Sequence, residues 1–176
     1  MNRRRPPALF VGLLAAAAGA GGETRAAEQS ASRASWAVVT VGEAATGDLA
    51  CVAVERVRAR RSGAFLVEVG LAPATGSAAG GSNLTLSVPN GADLVAGIGY
   101  RRGGQAPVRG EWQSCSAELC RAVVPLSASE MRALLGEREI VVAYRPLRSG
   151  PPLAVTVDLT GAKPAWEKTL QCRGAQ

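Results

Sequence analysis

Histidine is absent from this sequence of 176 residues. Its absence excludes serine–histidine and cysteine–histidine nucleophile pairs, histidine general bases, and zinc sites that combine histidine with cysteine or carboxylate. The G-x-S-x-G and S-x-x-K patterns of serine enzymes and the glycine-rich phosphate-binding loop are also missing. We therefore expect a protein that is not an enzyme and that needs no cofactor or metal.

Catalysis by a pair of carboxylates is the enzymatic alternative that remains. It would need two buried carboxylates, so that one keeps its proton while the other is charged. Four glutamates fall instead in positions predicted to lie on the surface or in loops: Glu111, Glu118, Glu137 and Glu139. The sequence displays no buried pair.

Residues 1–26 have the pattern of a secretory signal peptide. Three consecutive arginines at residues 3–5 precede a short apolar stretch, Ala8–Ala18. A stretch of about a dozen residues is too short for a membrane-spanning helix, which needs roughly 20. We expect export by the general secretory route, with cleavage after Ala20 or near Ala26.

The chain after this leader is mildly basic. Its 16 basic and 13 acidic residues give a formal charge of +3, which does not indicate a nucleic-acid partner. No later apolar run is long enough to cross a membrane, so membrane contact would be peripheral. We expect a flexible lead-in at residues 27–35, one domain at residues 36–172 and a tail at residues 173–176.

Short alternating segments separated by glycine, proline and asparagine predict an all-β domain. The predicted strands are residues 36–41, 48–57, 64–70, 83–88, 94–102, 107–114, 121–126, 139–145 and 153–159. A short helix is expected at Ser127–Gly136, where Ser127 and Glu130 have the spacing of a capping box. Residues 161–172 fit either a strand or a short helix. The expected fold is a disulfide-linked antiparallel β-sandwich, or a partly closed barrel, with one short helix.

The strand predicted at residues 94–102 carries glycines on one face. Its other residues are expected to face the core: Leu94, Ala96, Ile98 and Tyr100. Gly97 and Gly99 lie opposite, which suggests that something packs closely over them or that the strand bends there. On the next strand, Val108 and Trp112 are expected to face the core.

Four cysteines allow three disulfide pairings. Cys115 and Cys120 are close in sequence, so proximity favours this pair and leaves Cys51 with Cys172. By loop-closure entropy the short link stabilises the fold by roughly 2 kcal/mol and the long link by roughly 5 kcal/mol. Because the spacing is not C-x-x-C, we expect both disulfides to be structural.

Two groups of arginines are candidate anion-binding sites. The first group alternates along one predicted strand: Arg56, Arg58 and Arg60. The second flanks a hairpin expected at Gly103–Gly104: Arg101, Arg102 and Arg109. Guanidinium groups bind phosphate in a bidentate manner, so anionic lipid or lipopolysaccharide is a candidate partner. The alternative for the first group is a solvated edge strand protected by charge.

The sequence from Trp36 to about Cys172 resembles the invasion-associated locus B proteins of bacterial envelopes. The matching features are Trp36, Cys51, Pro89-Asn90-Gly91 with Leu94 and Gly97, the Cys115–Cys120 pair, and Asp158-Leu159-Thr160-Gly161. The resemblance implies an exported β-rich protein of the periplasm or outer membrane. It implies no catalytic residues, because the family has no agreed activity.

Two positions depart from the family's pattern. Where the family commonly has a cysteine four residues after the opening tryptophan, this chain has Thr40. Cys172 then looks like the replacement partner of Cys51, which would put the N- and C-terminal strands side by side. The family also tends to have glycine before the second central cysteine. Leu119 stands there, so we expect no positive φ at that position.

These observations lead to two hypotheses about function. The first is a periplasmic or outer-membrane-associated module that maintains the envelope by binding an envelope protein or an anionic lipid. The second is a surface-exposed factor that contacts host cells during invasion. In both cases we expect recognition on loops, at Ala72–Ser82 and at the Gly103–Gly104 hairpin.

Overall fold

The computed structural model describes residues 35–42, 49–74, 81–146 and 150–173. The predicted leader, the lead-in up to residue 34 and residues 174–176 lie outside these ranges. The elements follow the chain in the order β1 (Ala37–Gly42), β2 (Leu49–Arg58), β3 (Phe65–Pro73), β4 (Ser82–Pro89), β5 (Ile98–Arg102), β6 (Val108–Cys115), β7 (Leu119–Leu126), α1 (Ala128–Leu135), β8 (Glu139–Tyr144), β9 (Leu153–Asp158) and α2 (Ala162–Arg173).

The nine strands form one antiparallel sheet in the order β1-β2-β3-β4-β7-β6-β5-β8-β9. The sheet curls into a half-barrel, which brings strands that are distant in this order into contact. The Tyr144 hydroxyl on β8 donates to the Leu66 carbonyl on β3 at 2.9 Å. Burial raises the pKa of Tyr144 to about 12, so its hydroxyl keeps the proton that it donates. The predicted all-β antiparallel fold is confirmed in its partly closed form.

The core occupies the concave side of the sheet. Alternate residues of the central strands point inwards because successive strand residues face opposite sides. On β4, Leu84, Leu86 and Val88 are completely buried, as the alternation predicted. Leu71 and Val69 of β3 lie opposite Leu84 and Leu86. Each such side chain contributes roughly 1.5–3 kcal/mol by leaving water.

In the described part of the chain, two helices cover the open parts of this core. The sequence predicts the first as a helix, but fits the second, at residues 161–172, to either a strand or a helix. Helix α1 has the predicted capping box, in which Ser127 Oγ accepts from the Glu130 amide and the Glu130 carboxylate accepts from the Ser127 amide. The C-terminal segment forms the second helix, α2, which packs mainly on β2. Its Ala165 and Thr169 are buried. No helix in the described part of the chain is long and apolar enough to span a bilayer.

The disulfides join Cys115 with Cys120 and Cys51 with Cys172, the pairing favoured by proximity. The first closes the β6–β7 turn. The second attaches α2 to β2. The expectation that N- and C-terminal strands pair side by side is therefore wrong, because the segment that carries Cys172 is a helix and β1 and β9 are not paired with each other. Thr40 lies directly opposite Cys51, with its Oγ1 3.8 Å from the cysteine Sγ.

The structure differs from the predictions at the start of β5 and at Val108. β5 begins only at Ile98, because Gly97 has φ +80° and ends the extended backbone before it. Leu94 and Ala96 are consequently exposed, and the prediction that they face the core is wrong. Val108 lies at the rim of the sheet and is 36% exposed. Elsewhere, Leu119 avoids a positive φ as expected, since no described residue other than glycine has one.

The loop predicted at Ala72–Ser82 is shorter than expected. Strand β3 extends to Pro73 and β4 begins at Ser82, so both ends of that range belong to the sheet. Gly81 hydrogen-bonds through its carbonyl to the Ala74 amide at 3.0 Å, which extends the pairing of the two strands beyond their ends. Residues 75–80 lie outside the described part.

Candidate functional site

The first group of arginines is held within the β2–β3 hairpin. Arg56 lies opposite Glu68, and its Nε donates to the Glu68 carboxylate at 2.9 Å while its guanidinium lies 5.7 Å from the centre of the Phe65 ring. Arg58 donates to the Gly63 carbonyl of the turn at 3.0 Å. Arg60 is exposed at the start of that turn. Two of the three side chains thus stabilise the hairpin, which favours a structural role over anion binding. The expected edge strand is wrong, however, because β2 lies between β1 and β3.

The second group is divided between the two faces of the sheet. Arg101 and Arg109 lie on the convex outer face, whereas Arg102 points to the other side, towards helix α1. Hydrogen bonds with Ser127 are the main cause of the lowered pKa of Glu130, and the positive charge of Arg102 lowers it slightly further. Arg102 Nη1 is buried without a hydrogen-bond partner among the described residues. Arg101, Arg102 and Arg109 therefore do not form one site.

Arg101 and Arg109 border a shallow groove of about 380 Å³ on the outer face. The groove crosses β5, β8 and β9. Its floor consists of small or aliphatic residues: Gly97, Gly99, Val141, Ala143 and Ala154. Its lining contains both guanidinium groups and no carboxylate. Neither arginine forms an ion pair with a described residue.

Two glycines of the groove floor have structural reasons: Gly97 has a positive φ of +80°, and Gly99 has a close backbone neighbour. A Cβ at Gly97 would lie 2.5 Å from Arg109 Nη2, and a Cβ at Gly99 would lie 2.5 Å from the Val108 carbonyl oxygen. The Arg109 side chain lies across Gly97 and donates to the Ala96 carbonyl at 3.2 Å. The prediction that something packs closely over this glycine face is therefore confirmed. The neighbours are a guanidinium group and the backbone of β6.

A turn next to the groove carries exposed apolar side chains. We call residues Leu94–Gly97 the apolar turn. Val95 is 81% exposed and Leu94 is 45% exposed. The buried Asp93 carboxylate accepts from the amides of Val95 and Ala96 at 3.1 and 3.4 Å. Sequence reasoning missed this turn, although aspartate is a turn residue because its side chain can accept from the amide two residues on, as Asp93 does from Val95.

The geometry and the sequence agree with one protein family. The model for that family, described as "Invasion associated locus B (IalB) protein", matches residues 36–170. The chain belongs to the invasion associated locus B family. No curated protein matches the sequence.

A solved structure with the same fold supports this assignment. The chain is similar to the crystal structure of invasion associated protein B from Bartonella henselae, with a TM-score of 0.63. The two are 17% identical, and the match covers 82% of this chain and 99% of that chain. At this identity the similarity shows that the IalB-family chain shares the half-barrel fold. The family is not a known enzyme family.

This IalB-family chain also has a buried acidic residue that the sequence analysis overlooked. Glu55 is 3% exposed on the inner side of β2, and its carboxylate accepts from the Ser35 amide at 2.6 Å. Burial raises the pKa of Glu55, and the nearby negative charge of Asp158 adds to this effect. The alternation of Ala53, Glu55 and Val57 was the available signal. Neither acidic residue lines the groove, and no described cluster of acidic and cysteine residues could hold a metal ion.

Substituting glutamine for Glu55 should stabilise the IalB-family chain at neutral pH and have little effect in acid. A carboxyl with a raised pKa binds its proton more tightly in the folded state, so its contribution to stability is complete below the unfolded pKa and is lost as pH rises through the folded pKa. Glutamine resembles the protonated form at every pH. Urea denaturation of both proteins, from below about pH 4 to about pH 7, measures the difference.

Glu111→Gln is the matched control, because it removes the same charge from an exposed position of β6. If the advantage of Glu55→Gln stays constant or shrinks as pH rises, burial does not control the titration of Glu55.

Proposed function

We propose that this protein is an exported, non-enzymatic module of the cell envelope that binds a partner on the outer face of its sheet. The observation that carries the proposal is the groove bordered by Arg101 and Arg109, whose lining holds two positive charges and no negative one. Guanidinium groups that lack an internal ion pair are available to an anionic partner. The groove floor is apolar, so the partner is expected to combine apolar and anionic parts.

Export is supported by two features outside the groove. The first 26 residues have the basic and apolar pattern of a secretory signal. The chain contains two disulfides, and disulfides form and persist in oxidising compartments such as the bacterial periplasm. We infer that the mature protein is located in the periplasm or at the outer membrane.

Binding is favoured over catalysis by the chemistry of the groove. Its lining includes no carboxylate, thiol or aliphatic hydroxyl; its polar side chains on the outer face are the two arginines, whereas the side chain of Tyr100 belongs to the buried core. Burial raises the pKa of Tyr100, which makes it a poor base near neutral pH. The buried Glu55 and its neighbour Asp158 are separate from the groove and have no adjacent nucleophile or histidine.

A test of location can use the two lysines of the chain, Lys163 and Lys168, which are both exposed on α2. An amine-reactive reagent coupled to a polymer too large to cross the outer membrane would be applied to intact cells, to cells with a permeabilised outer membrane, and to lysed spheroplasts. We expect modified lysines, identified by mass spectrometry, only after outer-membrane permeabilisation. A variant with Lys163→Arg and Lys168→Arg controls for labelling elsewhere. Labelling that requires spheroplast lysis would contradict export.

The alternative is a surface-exposed factor that contacts host cells. It is favoured by the names of the family and of the Bartonella henselae protein, both of which refer to invasion. The same experiment distinguishes the two, because a surface-exposed protein would be labelled on intact cells.

A further inference from the structure

The apolar turn exposes aliphatic side chains on a backbone that is held in place. Besides the two hydrogen bonds from Asp93, Gly97 donates its amide to the Leu94 carbonyl at 3.2 Å. The Trp112 indole donates to the same carbonyl at 3.1 Å. At its base, the Asp93 amide donates to the Arg145 carbonyl at 2.8 Å. These bonds fix the turn, so Leu94 and Val95 cannot fold inwards without breaking them.

Val95 is the most exposed of the large hydrophobic residues in the described ranges. Leaving one valine in water is common on protein surfaces and needs no explanation by itself. Here, however, Leu94, Val95 and Ala96 are consecutive and all exposed. Their exposure is therefore a property of the turn rather than of a single side chain.

Positive charge lies directly beside these aliphatic residues. Arg109 donates one hydrogen bond to the Ala96 carbonyl. A guanidinium group has five N–H donors, so most of them remain available to an external acceptor. Arg101 lies further along the same outer face and borders the same groove. Asp93 is buried, accepts amide hydrogen bonds, and lies 3.7 Å from Arg145. Glu111 is near Arg109 on β6, and Glu137 and Glu139 line a second pocket with Arg101, but none of them forms an ion pair with either arginine.

We propose that the apolar turn docks onto an anionic lipid bilayer, with Leu94 and Val95 in the interfacial region and Arg109 and Arg101 on lipid phosphates. This proposal rests on the envelope location proposed above and names the partner of the same outer face. Aliphatic side chains next to arginines match the two layers of a bilayer surface, where apolar chains lie beneath anionic headgroups. A soluble anion would satisfy the arginines but would leave Val95 in water.

The experiment measures, by co-sedimentation, how strongly the protein binds to lipid vesicles. The protein is purified from the cells that produce it, so that any processing by the cell is retained. One set of vesicles contains phosphatidylcholine alone and the other contains phosphatidylcholine with phosphatidylglycerol. We expect binding to the second set, weakened by salt and not prevented by inorganic phosphate or glycerophosphate. Val95→Asp should weaken binding by at least about tenfold, because it removes an apolar contact and adds a repelled charge. Arg101→Gln and Arg109→Gln should each weaken it by about fivefold.

Matched controls separate this surface from general effects of charge and hydrophobicity. Val41→Asp alters another exposed valine, at the edge strand β1, and should bind as the wild type does. The double variant Arg58→Gln, Arg60→Gln removes two positive charges, as Arg101→Gln and Arg109→Gln do together, but at a position away from the groove. Glu111→Lys adds positive charge beside Arg109 on the outer face of β6 and should strengthen binding. Thermal unfolding of every variant checks that it is folded.

Several results would overturn the proposal. The first is vesicle binding by Val95→Asp that equals that of the wild type. The second is a loss of binding in Val41→Asp as large as that in Val95→Asp. The third is release of the protein from anionic vesicles by inorganic phosphate. If lysine labelling places the protein in the envelope but the protein does not bind vesicles, the proposed docking onto a bilayer is rejected, whereas the proposed function as an envelope module is not. Binding to anionic vesicles by a protein that proves not to be exported would reject the location instead.

Discussion

Replacing Cys51 and Cys172 together with alanine is expected to lower the free energy of unfolding by about 5 kcal/mol. The two residues are 121 positions apart, so the disulfide restricts nearly the whole domain in the unfolded state. In the folded state it joins α2 to β2, the strand on which this helix mainly packs. Because a domain is typically stable by only about 5–15 kcal/mol, the variant should be near the limit of folding.

The second disulfide provides the comparison. Replacing Cys115 and Cys120 with alanine should cost only about 2 kcal/mol, because these residues are separated by 5 positions and close a short turn. Both double variants would be unfolded with urea and followed by far-ultraviolet circular dichroism. A short-loop variant as unstable as the long-loop variant would mean that the length of the closed loop does not determine the stabilisation.

The strands were predictable where the two faces of the sheet differ in polarity. Asn83 to Val88 alternates between polar and aliphatic residues, and the aliphatic ones are completely buried. Helix α1 was predictable for a different reason, since Ser127 and Glu130 satisfy each other's backbone amides locally. Both signals depend on neighbours in sequence and need no information about the rest of the fold.

The candidate site was predictable only in part. Leu94 and Ala96 continue the alternation of Ile98 and Tyr100, so periodicity alone extends the strand too far. The hydrogen bonds that Asp93 accepts outweigh this tendency and turn the backbone at Gly97. The separation of Arg101 from Arg102, in contrast, follows from the alternation of adjacent strand residues. Grouping them by sequence proximity was the error.

The order of the strands could not be read from local patterns. β5 lies between β6 and β8, and the groove exists only because β9 extends this part of the sheet. The β5–β6 hairpin was expected from Gly103–Gly104, but β5 also pairs with β8, and these two strands are separated in sequence by β6, β7 and helix α1. The sequence therefore indicated which residues carry charge, but the floor of the groove, including Val141 and Ala154, required the three-dimensional structure.

Replacing Trp36 with alanine is the second change with a large expected effect, a loss of about 3 kcal/mol in the free energy of unfolding. Trp36 immediately precedes β1, packs against the core, and donates its indole N–H to the Asp158 carbonyl at the end of β9, at 3.1 Å. It thereby joins the two outermost strands of the sheet. A Cβ at Gly161, the residue before α2, would lie 3.8 Å from Trp36 Cδ1, so the ring lies close to the start of this helix.

Two variants separate the roles of the Trp36 ring and its hydrogen bond. Trp36→Phe keeps most of the apolar contact and removes the donor, so it should cost about 1 kcal/mol. Trp36→Ala removes both and should also increase hydrogen exchange at the amides of β1 and β9, because the link that Trp36 makes from the start of β1 to the end of β9 is lost. If the phenylalanine variant is as unstable as the alanine variant, the hydrogen bond rather than the packing of the ring holds the two ends of the half-barrel together. Unchanged exchange in β9 would instead mean that Trp36 stabilises only β1 and α2, and that β9 is kept in place by its pairing with β8.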